Sequence, residues 1–238
     1  MKRWLKRVLL VMVVVTLGFA GYQAFEVYAA RAHTVEKVIP MLANPNLKLS
    51  KTDLTARQLE ILLKVEDPAF YSHNGVDLTT PGAGITTITQ GLVKLLYFDK
   101  FKPGIAKIKQ SLIAIFALNA LVSKDDQLKL FLNLAWFGVN DNQTPILGFG
   151  QAAQAFFGRD LPQLSEDEFI ALVGTLVAPA IFSPLKHNGQ SAERVARIRK
   201  LLSGDYQPKG LFDIYYGKIP AEFQKDLAPA SYFESTYE

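Results

Sequence analysis

The sequence predicts an all-α protein, one packed helical domain behind a single N-terminal transmembrane helix. Three observations carry that expectation. Apolar residues recur at helical spacing along the 238 residues, and no run alternates convincingly as a half-buried strand would. Helix-start signals precede the periodic segments, at Thr55 with Gln58, Ser123 with Asp126, and Ser165 with Glu168. A basic cluster, Lys2, Arg3, Lys6 and Arg7, precedes the apolar run 8–22.

With Trp4, Leu5 and the weakly polar residues near Ala24, that run approaches the ~20 residues a spanning helix needs. The basic flank should stay cytoplasmic, so the rest is expected outside the cytoplasmic (inner) membrane as a single-pass protein. A cleaved signal peptide is the alternative, with Tyr28-Ala29-Ala30 as the small-residue site. Signal cores are about 7–15 residues, shorter than this run. The expected organisation is therefore 1–30 basic flank and anchor, 31–50 juxtamembrane linker, 51–205 folded domain, and 206–238 a tail of unknown role. The length beyond the anchor suits one domain rather than two.

The net charge is +4, and the N-terminal flank alone contributes four cations, so the remainder is close to neutral. A nucleic-acid-binding stripe is not expected. No cysteine occurs, which excludes disulfides and thiolate metal sites.

The helices follow in order. The Thr55 capping box opens a helix carrying Leu59, Leu62, Leu63 and Val65. Glycine, proline and threonine break the chain through 76–84. A helix from about Thr87 to Leu96 comes next, then a long one over 105–121, apolar on one side. Ser123 opens a helix with Leu128, Phe131 and Leu132 on its core side. Segments 148–157, 165–177 and the basic, amphipathic 191–202 complete the set. Such helices pack around one cleft.

The stretch Glu66-Asp67-Pro68-Ala69-Phe70-Tyr71-Ser72-His73-Asn74-Gly75-Val76-Asp77 ends the first of these helices. A carboxylate closing an apolar run sits at a cleft mouth, partly desolvated, which raises a Glu from about 4.3 toward general-base range. The second constellation is Gly84-Ile85-Thr86-Thr87-Ile88-Thr89-Gln90-Gly91-Leu92-Val93-Lys94. It offers hydroxyls, an amide and an ammonium at a helix start, which suits phosphate or pyrophosphate. Taken singly, each has a bland reading: a solvated helix end, a structural His73, a Thr-capped helix with a surface lysine.

The spacing E-D-x-x-F-x-x-H-x-G-V-D resembles the first signature of the peptidoglycan glycosyltransferases, the polymerases shared by monofunctional transglycosylases and class A penicillin-binding proteins. The second constellation resembles that family's G-x-S-T-I-T-Q-Q-L-V-K, with Thr86 for Ser and Gly91 for Gln. Ala106-Lys107-Ile108-Lys109-Gln110 stands where the family has R-K-x-x-E, so Ala106 replaces Arg and Gln110 replaces the second cleft carboxylate. Ser123-Lys124-Asp125-Asp126-Gln127-Leu128-Lys129-Leu130-Phe131-Leu132-Asn133 resembles S-K-x-x-I-L-E-x-Y-L-N and reads as fold-keeping. Gly148 to Arg159, Leu164 to Phe169 and Ala178 to Pro184 resemble the remaining elements in order. Ser183-Pro184-Leu185-Lys186 also fits S-x-x-K, the transpeptidase nucleophile motif, but no K-T-G partner occurs.

The resemblance implies a lysozyme-like, all-α glycosyltransferase domain that polymerises lipid II into glycan strands and releases lipid pyrophosphate. It implies Glu66 as the base and Gln110 as the altered second catalytic position. Asp67, Phe70, His73, Thr86, Thr87, Gln90, Lys94, Lys107 and Lys109 are the implied substrate-binding residues. It names no certain cofactor and leaves a divalent metal open. Implied partners are lipid II, the glycan strand, the membrane and proteins of cell-wall synthesis or secretion. The aromatics and lysines of Leu95 to Lys102 suit a membrane surface. The losses at Ala106, Gln110 and Lys129 support an alternative, an impaired scaffold that binds lipid II or glycan within a cell-envelope complex. A glycan hydrolase is a third reading, disfavoured because an anchor and a pyrophosphate-type element serve no purpose in hydrolysis.

Overall fold

The computed structural model describes residues 3–102 and 104–218, and the chain is all-α within them apart from one hairpin. The helices are α1 (Arg3–His33), α2 (Ala56–Glu66), α3 (Ile88–Tyr97), α4 (Ile105–Ile113), α5 (Lys124–Leu134), α6 (Gly148–Phe157), α7 (Glu166–Thr175), α8 (Pro179–Phe182) and α9 (Asn188–Ser203). Their starts follow the local chemistry. Thr55, Thr87 and Ser165 each form a full capping box with the residue three later, and Ser123 accepts from the Asp126 N–H. Each such cap contributes about 1 kcal/mol.

Helix α7 is the centre of the packing. Every residue of its last two turns, from Phe169 to Thr175, is buried, the signature of a helix with neighbours all round. Helices α2, α6 and α9 lie against it. Phe149 links its Phe169 to Phe131 and Phe137, with ring centroids 5.0–6.4 Å apart. On the far side α3 packs on α4 and α5 through buried Ile88, Leu92 and Val93. Helix α4 runs through a π turn, Ala114–Leu118, into Asn119–Leu121, so 105–121 is one bulged helix.

Two expectations need correction. The first is the linker at 31–50. Helix α1 instead continues through a π turn, Thr34–Val38, to Met41, forming one 39-residue helix, Arg3–Met41. It is the one helix among the described residues long and apolar enough by itself to cross a membrane. Its lower end is domain structure: Ala30, Thr34 and Val38 share one face and are buried. Thr34 Oγ1 meets the Tyr97 hydroxyl at 2.7 Å, and His33 Nε2 meets the Leu96 carbonyl at 2.9 Å. Only 42–50 is irregular, and it is fastened. Asn133 pairs with both the N–H and the C=O of Leu49, while Lys129 Nζ donates to the Leu42 carbonyl at 2.9 Å. The domain thus begins before residue 51.

The second correction is a hairpin, β1 (Trp136–Val139) antiparallel to β2 (Pro145–Leu147), paired Trp136 with Leu147 and Val139 with Pro145. Strands of four and three residues are too short to show alternation. The turn signal is legible: Asn140 Oδ1 accepts from the Asn142 and Thr144 N–H groups. Part of the expected tail, 206–218, packs against the domain, while 219–238 lies outside the described residues.

Gly75 shows how tightly the first motif is seated. It has φ +95°, and a Cβ there would lie 2.6 Å from the Ala114 carbonyl oxygen of the π turn. Gly75→Ala must both adopt a left-handed backbone and push the loop off that turn. Strain alone costs roughly 1–3 kcal/mol. Thermal unfolding of the full chain in detergent should therefore shift several degrees lower, with the helical circular-dichroism signal at 20 °C, a routine ~20 °C baseline, unchanged. An unshifted transition would mean the loop does not press on the π turn.

Candidate active site

Glu66 is the last residue of α2 and Asp67 is its C-cap, so two adjacent carboxylates leave the helix in different directions. Asp67 turns inward and is 1% exposed. It accepts from the Ile88 N–H at 2.9 Å and from His73 Nε2 at 2.9 and 3.0 Å. His73 Nδ1 accepts from the Gly75 N–H at 2.9 Å, which fixes the tautomer with the proton on Nε2. Thr87 completes the network by donating to the Gly75 carbonyl at 2.7 Å. Its hydroxyl also caps α3 by accepting from the Gln90 N–H.

This network reassigns several residues expected to touch substrate. Asp67, Phe70, Thr87 and Gln90 are buried, and the polar groups of Asp67, Thr87 and Gln90 are committed to protein partners. Gln90 bonds the Thr87 N–H through Oε1 and the Ser111 hydroxyl through Nε2. His73 orients Asp67. These five hold the cleft wall, because a capped helix start consumes its own side chains in capping.

Glu66 is left as the half-buried carboxyl of the motif, with no hydrogen bond from any described residue. Burial pushes its pKa up to about 7, the nearby Arg194 guanidinium opposes that rise, and the Asp67 carboxylate adds to it. The end of a helix also disfavours an anion.

Three lysines, on α3, α4 and α5, are half-buried. Burial lowers Lys94 to about 8, with the like charge of Lys107 adding to the effect. Burial lowers Lys107 to about 8, and its Nζ donates to the exposed Thr86 hydroxyl at 3.0 Å. Burial likewise lowers Lys124 to about 8, opposed by the Asp67 charge, and its Nζ lies 4.6 Å from the Phe70 ring centroid. Thr86, Lys94 and Lys107 thus lie together.

Lys109 is not among them. Its Nζ pairs with Glu26 of α1 at 2.6 Å and lies over Phe98, beside a separate cavity of about 420 Å³ between α1 and α3. Two residues apart on α4, Lys107 and Lys109 point to different sides. Gln110 is also misplaced for cleft chemistry. It is 1% exposed, its Nε2 donates to the Gln90 carbonyl at 2.6 Å, and its Oε1 has no partner among the described residues. No group of three or more His, Asp or Glu side chains among the described residues could hold a metal, and the residue at the second carboxylate position is an amide.

Lys124 and Arg194 received no site role from the sequence. Both broke a local rule that could have flagged them. Lys124 puts a cation on the first turn of a helix, where the dipole disfavours it. Arg194 shares its helix face with Ser191, Ile198 and Leu201, all buried. It is 3% exposed and crosses α7 at Gly174, where a Cβ would meet its Cγ at 2.9 Å.

Two measurements follow. A carboxyl raised from 4.5 to about 7 binds its proton more tightly folded than unfolded, so stability is lost as pH rises through that window. Glu66→Gln removes the penalty. Its melting temperature should exceed wild type at pH above about 7, by up to roughly 3 kcal/mol of stability, and converge with it below about 4.5. Gln110→Glu tests the other position. A carboxylate there faces the Gln90 carbonyl in place of a donor, so at neutral pH it should lose about 1–3 kcal/mol in denaturant melts. An undiminished transition midpoint would put residue 110 in solvent.

The chain is similar to known proteins over most of its length. A model of the transglycosylase family matches residues 37–203. Penicillin-binding protein 1B of Buchnera aphidicola subsp. Acyrthosiphon pisum (strain APS) is 29% identical over 213 residues, 82% of this chain and 26% of that protein. Penicillin-binding protein 1B of Escherichia coli (strain K12) is 29% identical over 184 residues, 70% of this chain and 21% of that protein. Penicillin-binding protein 1F of Bacillus subtilis (strain 168) is 28% identical over 159 residues, 61% of this chain and 21% of that protein. The chain therefore spans about a quarter or less of the length of these relatives. Because the family match runs from inside the α1 helix through the end of α9, taking in Glu66, the three lysines and Arg194, the chain belongs to the transglycosylase family.

Proposed function

We propose that the protein is a membrane-anchored peptidoglycan glycosyltransferase that polymerises lipid II and releases lipid pyrophosphate. The observation that carries this reading is the pairing of one half-buried, hydrogen-bond-free carboxyl at Glu66 with half-buried lysines in a chain of the transglycosylase family. A carboxyl with a pKa near the working pH is matched to general-base work. Glu66 takes the proton from the acceptor sugar hydroxyl. The freed oxygen attacks the anomeric carbon of the growing strand, and the bond to the lipid pyrophosphate breaks with inversion. Lys94, Lys107 and Lys124 face the charge that accumulates on the leaving pyrophosphate, and Thr86 is held against Lys107 to contact it. Because these cations are already partly desolvated, they interact with that charge more strongly than surface lysines would.

The anchoring part rests on α1. Its apolar run of exposed side chains follows a basic flank, and the domain begins within the same helix. The N-terminus lies in the cytoplasm and the domain on the outer face of the inner membrane. Exposed Leu95, Ile105, Ile108 and Phe116 lie on the α3–α4 side, against which α1 packs, and suit contact with the lipid surface.

A second reading is favoured by one observation, the amide at position 110, walled in against the Gln90 carbonyl. It makes the protein a scaffold that binds lipid II or glycan, in a cell-wall or secretion complex, without polymerising. Purified full-length protein with lipid II in detergent decides between them. Polymer should form, with a rate that rises through pH about 7 as Glu66 ionises and falls above about 8 as the lysines lose charge. Glu66→Gln should reduce the rate by about 10²–10⁴. Binding of lipid II with no polymer at any pH establishes the scaffold, and neither binding nor polymer overturns both.

A further inference from the structure

Residues 204–218 lie beyond the family match and return across the end of α2. Gly204, in the left-handed region, ends α9 and turns the chain. Asp213 organises the return by accepting from the Tyr206 hydroxyl at 2.6 Å and from the Lys209 and Gly217 N–H groups at 3.0 Å. The segment then pairs with the loop before the second motif, where the Gly82 N–H donates to the Gly210 carbonyl at 2.9 Å and the Gly84 N–H to the Leu211 carbonyl at 2.8 Å. Arg197 holds the far end through the Gly217 and Lys218 carbonyls.

Tyr216 brings this segment to the backbone just before Glu66. Its hydroxyl donates to the Val65 carbonyl at 3.0 Å, one residue before Glu66. Its ring covers the Arg194 guanidinium at 4.7 Å, and Arg194 Nη1 donates to the Ile214 carbonyl at 2.8 Å. Tyr216 holds φ +56°, a conformation that costs a non-glycine residue of order 1 kcal/mol, so its surroundings dictate its place. Arg194 Nε is buried with no partner, and the guanidinium has no carboxylate hydrogen bond among the described residues. Among the described residues this buried cation is held by the Ile214 carbonyl and by the Tyr216 and Phe182 side chains, with no carboxylate bonded to it, so its charge acts on whatever anion lies near.

We propose that the segment 204–218, through Tyr216, seats Arg194 as the positioning residue that sets how readily Glu66 releases its proton. The proposal rests on the reading of Glu66 as the base. The charged and titratable groups around Glu66 are Asp67 on its own chain turn, Arg194 on α9, and Tyr216 on the returning segment. Tyr215 and Asp213 act on Arg194 and Tyr216, and Lys124 acts on Asp67. Burial and Asp67 keep the proton on Glu66, and Arg194 alone pulls the other way. Tyr216, pushed up to about 12 by burial, stays neutral and supplies a ring and a hydroxyl, not a charge.

Infrared difference spectra of the full chain in detergent, wild type minus Glu66→Gln, read this one carboxyl across pH without requiring turnover. Arg194→Met should shift the Glu66 titration upward by about one unit or more, a tenfold tighter proton. Arg194→Lys should restore part of that shift. Tyr216→Leu keeps apolar bulk over Glu66 but removes ring and hydroxyl, and should shift the titration in the same direction. The Arg194→Met, Tyr216→Leu pair should add little to Arg194→Met, because the two act through one charge. If Arg194→Met does not fold, Tyr216→Leu and Arg194→Lys carry the test. A Tyr216→Leu chain with a lower melting point and an unmoved Glu66 titration overturns the proposal. A shifted titration in a protein that makes no polymer at any pH overturns the proposed function and leaves the seat intact. Polymerisation with an unmoved titration does the reverse.

Discussion

The buried Asp67 carboxylate is the constraint on which the rest of the site depends. An anion so far from water needs donors, and it takes them from two separate segments: His73 in the loop after α2, and the Ile88 N–H at the start of α3. Those bonds draw the first and second motifs into one wall. Satisfying Asp67 also frees its neighbour. With the inward donors consumed, Glu66 has none, and it is left at the lip with its proton affinity raised. One carboxylate is spent on structure so that the next can be poised for chemistry. Removing a single donor would leave a buried charge uncompensated, a larger penalty than the loss of one ordinary hydrogen bond.

Much of this was legible in the chain because it is local. The capping boxes, the helix ends at Glu66 and Phe157, and the apolar face of 105–121 depend on residues within a turn or two of each other. The direction of side chains across elements was not legible. Asp67, Thr87 and Gln90 look like substrate ligands when read as a motif, yet Thr87 and Gln90 cap each other, Thr87 also bonds the Gly75 carbonyl, and Asp67 takes His73 and the Ile88 N–H. Lys107 and Lys109 differ by two positions, about 200° around a helix, so one faces Thr86 and the other Glu26. The hairpin escaped because three- and four-residue strands carry no period. Arg194 escaped because its partners, at Val65's end of α2 and in the returning segment, are distant in sequence.

The cations divide into two kinds. Arg57, Arg159 and Lys51 form exposed ion pairs with Glu166, Glu168 and Asp125, of the sort that contributes little to stability. Lys94, Lys107 and Lys124 are half-buried, and burial makes each less willing to hold its proton. That is a standing cost to the fold, and an anion entering the site relieves it. Substrate charge and protein stability are thereby linked: the domain should be firmest when the site is filled.

The continuity of α1 into the domain has a mechanical consequence. The helix runs unbroken to Met41, and its end is gripped through Ala30, Thr34 and Val38 and by Lys129 at Leu42. Under the proposed anchoring, no swivel separates lipid from cleft. At 1.5 Å per residue, the stretch from Gln23 to Met41 is a stiff strut of about 27 Å. A tether would let the domain sample many heights, but a strut sets one. The reacting carboxyl then meets headgroups at a fixed altitude above the bilayer. A thinner or thicker membrane would tilt the whole domain instead of stretching a leash.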